Sequence, residues 1–519
     1  MKAQDYQISA EKFVFRSRGE SIHDQKLETK PVTYLRDAFN RFTKNKGSIL
    51  AFFVIVVLVL FAILGPIISP YTVSYGDMNY QRARPQIKLM ETLKIPFWDG
   101  GRVVSKVTKS TYDYYRAIEE ETGDTLIMKS SPVEIEEIIY MKKPKTNYTF
   151  RLDTYAKVGV VFLLLDQAEY AKIQQYQDQN NIQIFLPITD SKLRPSAQQD
   201  SNDANYWYAT KTVGGKTEPA YASDGKLTNI YVAYNPASDN YTSAMRVEYK
   251  EDNTTPLYNY STPKQGGQVE VRVHYSEYYK YLHQNDRFSS ASHLFGADQD
   301  GRDIFTRLSS GARFSFILAI VVSSVNLIVG AIYGAIEGYY GGKVDLIMER
   351  IIDLLASIPF MIVITLLKYY LKTSDLVILF ISFFLTGWTG MAGRTRMQFY
   401  RFKNQEYVLV AKTLGAKDSR VMFKHIFPNA IGTLITGSVL VIPGVIFSET
   451  SLSYLNIINL NGKNMTSVGT LLSKGQDALY YDPHIIVFPA IFISLLMLAF
   501  NLFGNGLRDA FNPSLRGTE

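Results

Sequence analysis

The chain contains no cysteine and few of the other residues that build chemical sites. Its 519 residues include 6 His and 3 Trp. Without cysteine, disulfides and Cys-ligated zinc sites are excluded. His274 and His283 stand apart, without the spacing of metal ligands. The sequence therefore predicts no metal site.

Motifs for catalysis and nucleotide binding are absent as well. No segment reads G-x-x-x-x-G-K-[ST], the loop that holds phosphates in P-loop proteins, and Gly341-Gly342 lacks the required lysine. The sequence also lacks a nucleophile elbow and a zincin-type helix pair. We expect neither an enzyme nor a chain that binds ATP or another cofactor by itself.

The main feature of the sequence is a set of long apolar runs. Ile49–Ile68 is twenty residues without a charge, enough to cross a hydrocarbon core of about 30 Å. The flank Ser69-Pro70-Tyr71 lacks a small-x-small cleavage pattern, so we interpret this run as an uncleaved anchor. The other predicted spans are Phe314–Gly338, Ile351–Leu367, Leu376–Ala392, Ala430–Phe447 and Ile485–Phe503. The predicted fold class is a mainly α membrane protein with six transmembrane helices.

Basic residues in the flanks of these runs predict the orientation in the membrane. Before the first span stand Lys30, Arg36, Arg41, Lys44 and Lys46. Between the fourth and fifth spans stand Arg394, Arg396, Arg401, Lys403, Lys412, Lys417, Arg420 and Lys424. By the positive-inside rule both termini are cytoplasmic and residues about 70–310 are extracellular. The net charge of +7 is then a topology signal, which disfavours nucleic-acid binding.

The chain divides into four predicted parts. Residues 1–47 form a cytoplasmic leader in which we predict an interfacial helix at Pro31–Lys46, the alternative being a solvated leader, and 48–69 is the first transmembrane helix. Residues 70–290 form an extracellular α+β insert domain, and 291–519 form a core with the other spans. In the insert we predict a helix at Asp166–Gln179 and strands at Val158–Leu165, Asn181–Pro187, Leu227–Tyr234 and Val269–Tyr275. An exported domain without cysteine favours a Gram-positive bacterium.

Ionisable groups and prolines near the spans have two interpretations. Glu449 follows the predicted fifth span, and Glu349 and Asp353 begin the third. Such groups are either functional or placed at the membrane interface. Pro359 and Pro443-Gly444 interrupt spans three and five, where they kink the helices or are merely tolerated.

The basic segment near 405–428 is a predicted helix-turn-helix. One apolar face is expected from Tyr407, Val410, Ala411 and Leu414 at helical spacing. Gly415 is expected in a left-handed conformation and Asp418 as the N-cap of the second helix, before Pro428. Lys412, Lys417 and Arg420 are expected to face the cytosol. The segment is either a rigid bracket that docks on a soluble partner or a helix on lipid headgroups.

This segment resembles the cytoplasmic loop of bacterial ABC importer permeases, E-A-A-x-x-x-G followed by I-x-L-P. Ala411, Gly415 and Pro428 match, whereas Leu409 and Val410 replace the first two letters. The expected positions for coupling to an ATPase are Glu406, Tyr407, Ala411, Lys412, Gly415, Ala416, Ile426 and Pro428.

Three further segments are similar to the OppC/DppC type of oligopeptide and dipeptide permeases. They are His293–Phe316, Ser448–Ile457 and Ala499–Arg516. The signature positions in them are Gly296, Asp300, Gly301, Arg302, Asp303, Glu449, Ser451, Leu452, Asn501, Gly504, Gly506, Leu507, Arg508 and Asp509. The resemblance does not extend to the insert at 71–290.

The resemblance implies a transport subunit with the ABC type I importer permease fold. It implies a second paralogous permease subunit, two cytoplasmic ATPase subunits that bind ATP and Mg, an extracellular peptide-binding lipoprotein, a peptide substrate and surrounding membrane lipid. The loop near 405–428 would be the coupling helix of an alternating-access cycle. We expect the insert to contact the lipoprotein or the partner permease. The alternatives are a permease for nickel or another small solute, and a membrane-anchored extracellular receptor or sensor.

Overall fold

The computed structural model describes residues 34–87, 97–140, 143–193, 203–235, 249–286, 288, 290–462 and 465–511. Residues 1–33 of the predicted leader and residues 512–516 of the C-terminal motif lie outside this range. The described helices, in chain order, are α1 (Tyr34–Lys44), α2 (Lys46–Ile68), α3 (Lys109–Thr122), α4 (Gln167–Asn180), α5 (Tyr275–Leu282), α6 (Ile304–Tyr340), α7 (Gly342–Ser357), α8 (Phe360–Leu371), α9 (Asp375–Thr386), α10 (Thr389–Phe402), α11 (Glu406–Thr413), α12 (Asp418–Arg420), α13 (Phe427–Val439), α14 (Val441–Tyr454), α15 (Val468–Gln476) and α16 (His484–Phe511).

Long apolar helices dominate this part of the chain. Five are long and apolar enough to cross a membrane, namely Lys46–Ile68, Ile304–Tyr340, Asp375–Phe402, Asp418–Tyr454 and His484–Phe511. A bent pair of helices raises the number to six if the pair counts as one span. The prediction of a mainly helical, multi-pass membrane protein is confirmed, with five to six spanning helices.

The bent pair corrects the predicted third span, Ile351–Leu367. The chain forms α7 and α8, which meet at an angle of 77°. Pro359 stands at the break, where it is the N-cap of α8 and the preceding Ile358 is extended. Proline disfavours a helical conformation in the residue before it, so one straight helix cannot pass this point.

The fourth and sixth spans extend past their predicted ends, to Phe402 and Phe511, and two other spans begin well before their predicted starts. Helix α6 begins at Ile304 rather than Phe314, because Asp303 caps it by accepting a 2.7 Å hydrogen bond from the amide of Thr306. The fifth span is helical from Asp418 to Tyr454, and α13 and α14 meet at Leu440. That junction lies close before Pro443, which has no N–H for the carbonyl of Val439.

Small residues allow the spanning helices to pack closely. Gly330, Gly334 and Gly338 form a stripe on α6, and a Cβ on each would overlap the backbone of α10. At Gly330, for example, it would lie 2.7 Å from the carbonyl oxygen of Trp388. Spacing of four residues places small side chains on one face, as in other close-packed membrane helices.

The insert contains two antiparallel sheets, a separate β-hairpin and the helices α3, α4 and α5. Its strands are β1 (Gly101–Val107), β2 (Glu134–Tyr140), β3 (Lys143–Asp153), β4 (Val160–Asp166), β5 (Phe185–Leu186), β6 (Thr210–Val213), β7 (Lys216–Pro219), β8 (Thr262–Pro263) and β9 (Gln268–His274). One sheet has the order β1-β3-β2, and another has the order β4-β9-β5 with β8 also paired to β9. All these pairs are antiparallel, and β6–β7 is a separate hairpin.

The local predictions in the insert are confirmed in part. The strands predicted at Val158–Leu165 and Val269–Tyr275 appear as β4 and β9, which pair along their length. The predicted helix appears as α4, where Asp166 accepts a 2.7 Å hydrogen bond from the amide of Glu169.

Two strand predictions are wrong in extent or kind. Of Asn181–Pro187 only Phe185–Leu186 is strand, because Asn181 has a φ of 52° and ends α4. Leu227–Tyr234 makes isolated bridges to residues as far apart in sequence as Thr189 and Tyr258. A segment that crosses several partners gains no continuous ladder of hydrogen bonds.

The insert is joined to the helical core beside the start of α16. Asp482 is fully buried there, and arginine nitrogens of Arg84, Arg102 and Arg82 lie 3.4, 3.7 and 3.8 Å from its carboxylate. Burial lowers the pKa of the Arg84 guanidinium, and the Asp482 carboxylate opposes this shift. The junction therefore concentrates positive charge from the insert around one carboxylate of the core.

Candidate functional site

The predicted loop forms two short helical segments around a glycine. Helix α11 ends at Thr413, and Gly415 follows with a φ of +79°, which confirms the predicted left-handed conformation. The amide of Gly415 donates to the carbonyl of Lys412 at 2.9 Å, and the amide of Ala416 donates to that of Ala411 at 3.0 Å. These bonds close the helix end, as a C-terminal glycine commonly does.

The apolar face that the loop buries is not the predicted one. Val408 and Ala411 are buried, whereas Tyr407, Val410 and Leu414 are exposed. Val408 belongs to a cluster of buried residues with Ala335, Tyr339, Phe399, Val421, Met422 and Ile426. Apolar residues occupy most of α11, so spacing alone did not indicate which of them would meet the ends of α6 and α10.

Asp418 is the first residue of α12 rather than its N-cap. Lys417 occupies the N-cap position, without a side-chain capping bond. The Asp418 carboxylate instead accepts a hydrogen bond of 2.6 Å from the phenol of Tyr339, in the last turn of α6. The chain continues as a π-helical turn, Val421–Ile426, and Pro428 lies in the first turn of α13.

Tyr339 holds both halves of the loop, and the sequence analysis missed it. Its hydroxyl binds Asp418 after the glycine turn, while the ammonium of Lys412 lies 4.6 Å from its ring centroid before that turn. A cation over an aromatic face is attracted by the negative charge of the ring. The loop is thus attached to α6 by one hydrogen bond and one cation–π contact.

Some of the other predicted coupling positions are buried against the core, and the rest are exposed. Ile426 is buried and Ala416 is half-buried in the cluster, whereas Glu406, Lys412 and Pro428 are exposed. The hydroxyl of Tyr407 accepts a 3.2 Å hydrogen bond from the amide of Asn429. Partial desolvation raises the pKa of the Tyr407 phenol although much of the side chain is exposed, so the phenol remains protonated at neutral pH.

Leu409, Val410 and Leu414 give the outer surface of the loop an apolar character. Leu414 is 82% exposed, and Leu409 and Val410 are at least half exposed. A cluster of exposed apolar residues on a small helix is typical of an interaction site. A force applied to the exposed face of the loop can therefore be transmitted to α6 through the buried face.

An ionic cluster braces the helices beside the loop. Arg396 of α10 lies 2.6 Å from Asp345 and 3.3 Å from Glu349, both on α7, and 3.4 Å from Glu337 on α6. Glu349, predicted either as functional or as interfacial, belongs to this cluster. Asp353 does not, because it pairs with the exposed Arg350 at 2.8 Å. One arginine thus links three helices next to the loop.

The first signature segment forms a tight turn before α6. Gly296 and Gly301 have φ values of +82° and +69°, and a Cβ on Gly301 would overlap the backbone of Asp77. Asp303 caps α6. Asp300 accepts a 2.7 Å hydrogen bond from the ammonium of Lys474, in the last turn of α15. Arg302 donates its amide to the carboxylate of Asp298 at 2.9 Å. These positions connect the insert, α6 and α15.

Asp298 and Arg307 form a buried ion pair in this turn that was not singled out from the sequence. Both side chains are at most 3% exposed. Arg307 also donates to Asn461 at 3.0 Å, in the loop between α14 and α15. The sequence contains three acids and two arginines between residues 298 and 307, and it does not indicate which acid meets which arginine.

The second signature segment lies inside the protein rather than after a span. Glu449 is fully buried within the helix Asp418–Tyr454, where it accepts hydrogen bonds from Ser315 at 3.1 Å and Ser453 at 3.0 Å. Glu449 therefore does not face solvent or lipid within this chain. Leu452 is buried in the core of the helices, and the hydroxyl of Ser451 donates to the carbonyl of Phe447 in its own helix at 2.8 Å.

The third signature segment is a packing surface of α16. A Cβ on Gly504 would overlap Leu440, and one on Gly506 would overlap Ser48 of α2. Leu507 is half-buried, whereas Asn501, Arg508 and Asp509 are exposed. Among the described residues, the structure contains no group of three or more His, Asp or Glu that could hold a metal ion.

Two family comparisons cover the membrane part of the chain. Residues 326–517 match the family described as "Binding-protein-dependent transport system inner membrane component". Residues 33–85 match the "N-terminal TM domain of oligopeptide transport permease C". Among solved structures, the inward-facing MetNI methionine ABC transporter aligns with a TM-score of 0.31 at 14% identity, over 40% of this chain and 96% of that one. A score this low carries no argument about the fold.

Several oligopeptide and dipeptide transport permease proteins are similar to this chain in sequence. The oligopeptide transport system permease protein OppC of Bacillus subtilis is 44% identical over 233 residues, which cover 44% of this chain and 75% of that protein. The dipeptide transport system permease protein DppC of the same organism is 40% identical, over 44% of this chain and 70% of that protein. These are transport permeases, which favours neither the receptor nor the enzyme interpretation. The chain belongs to the family of binding-protein-dependent transport system inner membrane components, as an OppC/DppC-type permease subunit.

Proposed function

We propose that this chain is one permease subunit of an ATP-driven importer of oligopeptides. With a second, paralogous permease subunit it forms the translocation pathway through the cell membrane. The names of its relatives support peptides as the substrate. No described group of metal-ligating side chains supports nickel as an alternative cargo.

The observation that carries the proposal is the attachment of the loop 405–428 to α6. Its buried residues and the Tyr339–Asp418 hydrogen bond fix it to a spanning helix, while Leu409, Val410 and Leu414 remain exposed. An ATPase subunit that binds ATP and Mg docks on the exposed residues. When the ATPase pair closes, the loop moves as a rigid unit and carries α6 with it.

The orientation follows from the charges at the helix ends. Both termini and the loop 405–428 are cytoplasmic, because basic residues gather there. The insert is then extracellular, as in a Gram-positive bacterium whose binding lipoprotein stands on the same face. We propose that the insert contacts this lipoprotein or the partner permease and shapes the entrance for peptides.

Uptake of a labelled peptide tests the transport function. A strain without this chain should lose uptake, and the wild-type chain should restore it, while uptake of nickel stays the same. Unchanged peptide uptake in the deletion strain would contradict the proposal.

Co-purification of the ATPase subunits tests the docking surface. Leu414→Ser should reduce the amount of ATPase retained by the permease several-fold, because it removes a large exposed contact. Leu479→Ser is the matched control, since Leu479 is also exposed but precedes α16 on the opposite side of the membrane. Equal retention by both variants would show that the loop is not the docking site.

Deletion of residues 90–285 tests the role of the insert. We expect weaker docking of the binding lipoprotein and slower peptide uptake, with the permease still inserted in the membrane. Unchanged uptake together with unchanged docking would refute the role.

A further inference from the structure

A basic pocket lies between three spanning helices, two of which end near it on the proposed cytoplasmic side. Its volume is about 300 Å³, and it is lined by α10, by the second half of α13 with Leu440, and by the end of α16. Three arginines contribute to it, Arg394, Arg401 and Arg508, together with the polar side chains of Gln398 and Thr433. No Asp or Glu is among the lining residues in the described part of the chain. The pocket therefore presents positive charge without a carboxylate among its described lining residues.

The charge in this pocket is not neutralised by the described part of the chain. Arg394 donates to the carbonyl of Gly437 at 3.1 Å, which is a polar contact but not an ion pair. The guanidinium of Arg401 lies 5.5 Å from the ring centroid of Phe402, and neither Arg401 nor Arg508 pairs with a described carboxylate. Guanidinium groups are well suited to bind phosphate oxygens, because each can donate two parallel hydrogen bonds.

An apolar cavity of about 510 Å³ adjoins the basic pocket. It is lined by α1, α2 and α16 through side chains that include Phe39, Phe42, Phe52, Phe503 and Leu507. Phe511 lines both cavities, and the neighbouring residues Leu507 and Arg508 line one each. A binding site with a cationic end and an adjoining hydrocarbon end fits an amphiphile with an anionic head.

We propose that the two cavities together bind one anionic phospholipid of the inner leaflet. Its phosphate lies among Arg394, Arg401 and Arg508, and an acyl chain enters the apolar cavity under α1. Basic pockets between spanning helices on the cytoplasmic side are suited to anionic headgroups. A free phosphate ion would fill only the basic pocket and would leave the apolar cavity without an occupant. The bound lipid would fix α1 and the end of α16 to each other.

The test is lipid retention by the purified full-length chain, measured by native mass spectrometry. The chain is exchanged into detergent with phosphatidylglycerol or, separately, phosphatidylcholine. We expect the wild type to retain phosphatidylglycerol selectively. The double variant R401Q/R508Q should retain about tenfold less of it, because two headgroup contacts are lost. Arg350→Gln removes one exposed arginine outside the pocket and should leave retention unchanged.

Two further measurements distinguish a bound lipid from a free phosphate ion or an empty site. Phe39→Ser replaces an exposed wall of the apolar cavity and should lower retention without unfolding the chain. Inorganic phosphate at millimolar concentration should not displace the lipid. The proposal is overturned if phosphate displaces it, if phosphatidylcholine is retained equally, or if R401Q/R508Q retains as much as the wild type. It is also overturned if the wild type retains no lipid. That result would mean that another part of the chain fills the site.

Discussion

The phenol of Tyr339 donates a 2.6 Å hydrogen bond to the carboxylate of Asp418. This bond joins the last turn of the spanning helix α6 to the start of α12 across 79 positions of sequence. Through it, a displacement of the loop 405–428 acts directly on a helix of the membrane core.

Tyr339→Phe tests this connection. The change removes only the hydroxyl, and a hydrogen bond to a charged group contributes about 1.5–3 kcal/mol. We expect peptide uptake to fall several-fold while the subunit still inserts into the membrane. Uptake relative to the amount of permease in the membrane is the measurement.

Tyr340→Phe provides the control for that change. Tyr340 is the next residue, and its ring packs against Tyr339 at 5.2 Å between centroids. Its side chain is about half exposed. If both variants transport equally well, the Tyr339–Asp418 bond is not part of the coupling.

Gly415→Val tests the turn of the loop. The φ of +79° is strained for a β-branched residue, by about 1–2 kcal/mol, although a Cβ there would meet no atom within 4 Å. The strain of the backbone is therefore the expected cause of an effect, since the added Cβ meets no neighbour. We predict loss of uptake with normal membrane insertion, whereas Gly444→Val, also in open space but inside a helix, should transport normally.

Glu449→Ala tests the buried carboxylate of the fifth span. The change leaves a cavity and removes the acceptor of two serine hydroxyls, so we expect a loss of about 2 kcal/mol or more in the free energy of unfolding. The midpoint of thermal unfolding in detergent is the measurement. Ser451→Ala, which affects only a bond within its own helix, should change stability by less than about 0.5 kcal/mol. Similar midpoints for the two variants would contradict the structural role of Glu449.

The Asp300–Lys474 pair predicts a pH dependence. The hydrogen bond from the Lys474 ammonium lowers the pKa of Asp300 below its ordinary value of about 3.9. Because the pKa is lower in the folded state, the pair stabilises the fold at pH values above about 4 and loses this effect as pH falls through the folded-state pKa. We expect Lys474→Met to lower the thermal midpoint at about pH 6 and to match the wild type near pH 2. A constant difference at all pH values would exclude the ion pair as the cause.

The sequence by itself determined the membrane class and most spanning helices. Runs such as Ile49–Ile68 leave the chain no other way to satisfy its backbone in hydrocarbon, so composition and length are sufficient. Local rules also determined Gly415, whose left-handed turn requires no distant contact, and β9, whose alternation is strict. They were sufficient because each depends on neighbouring residues only.

Only the tertiary structure decided which side chains meet. Every face of α11 carries apolar residues, and the ends of α6 and α10 selected Val408 rather than Leu414 for burial. Asp418 was a credible N-cap, but Tyr339 lies close enough to bind its carboxylate. Glu449 became a core residue because Ser315, 134 positions earlier, supplies a hydroxyl. Such contacts depend on how helices pack, which local periodicity and capping preferences do not specify.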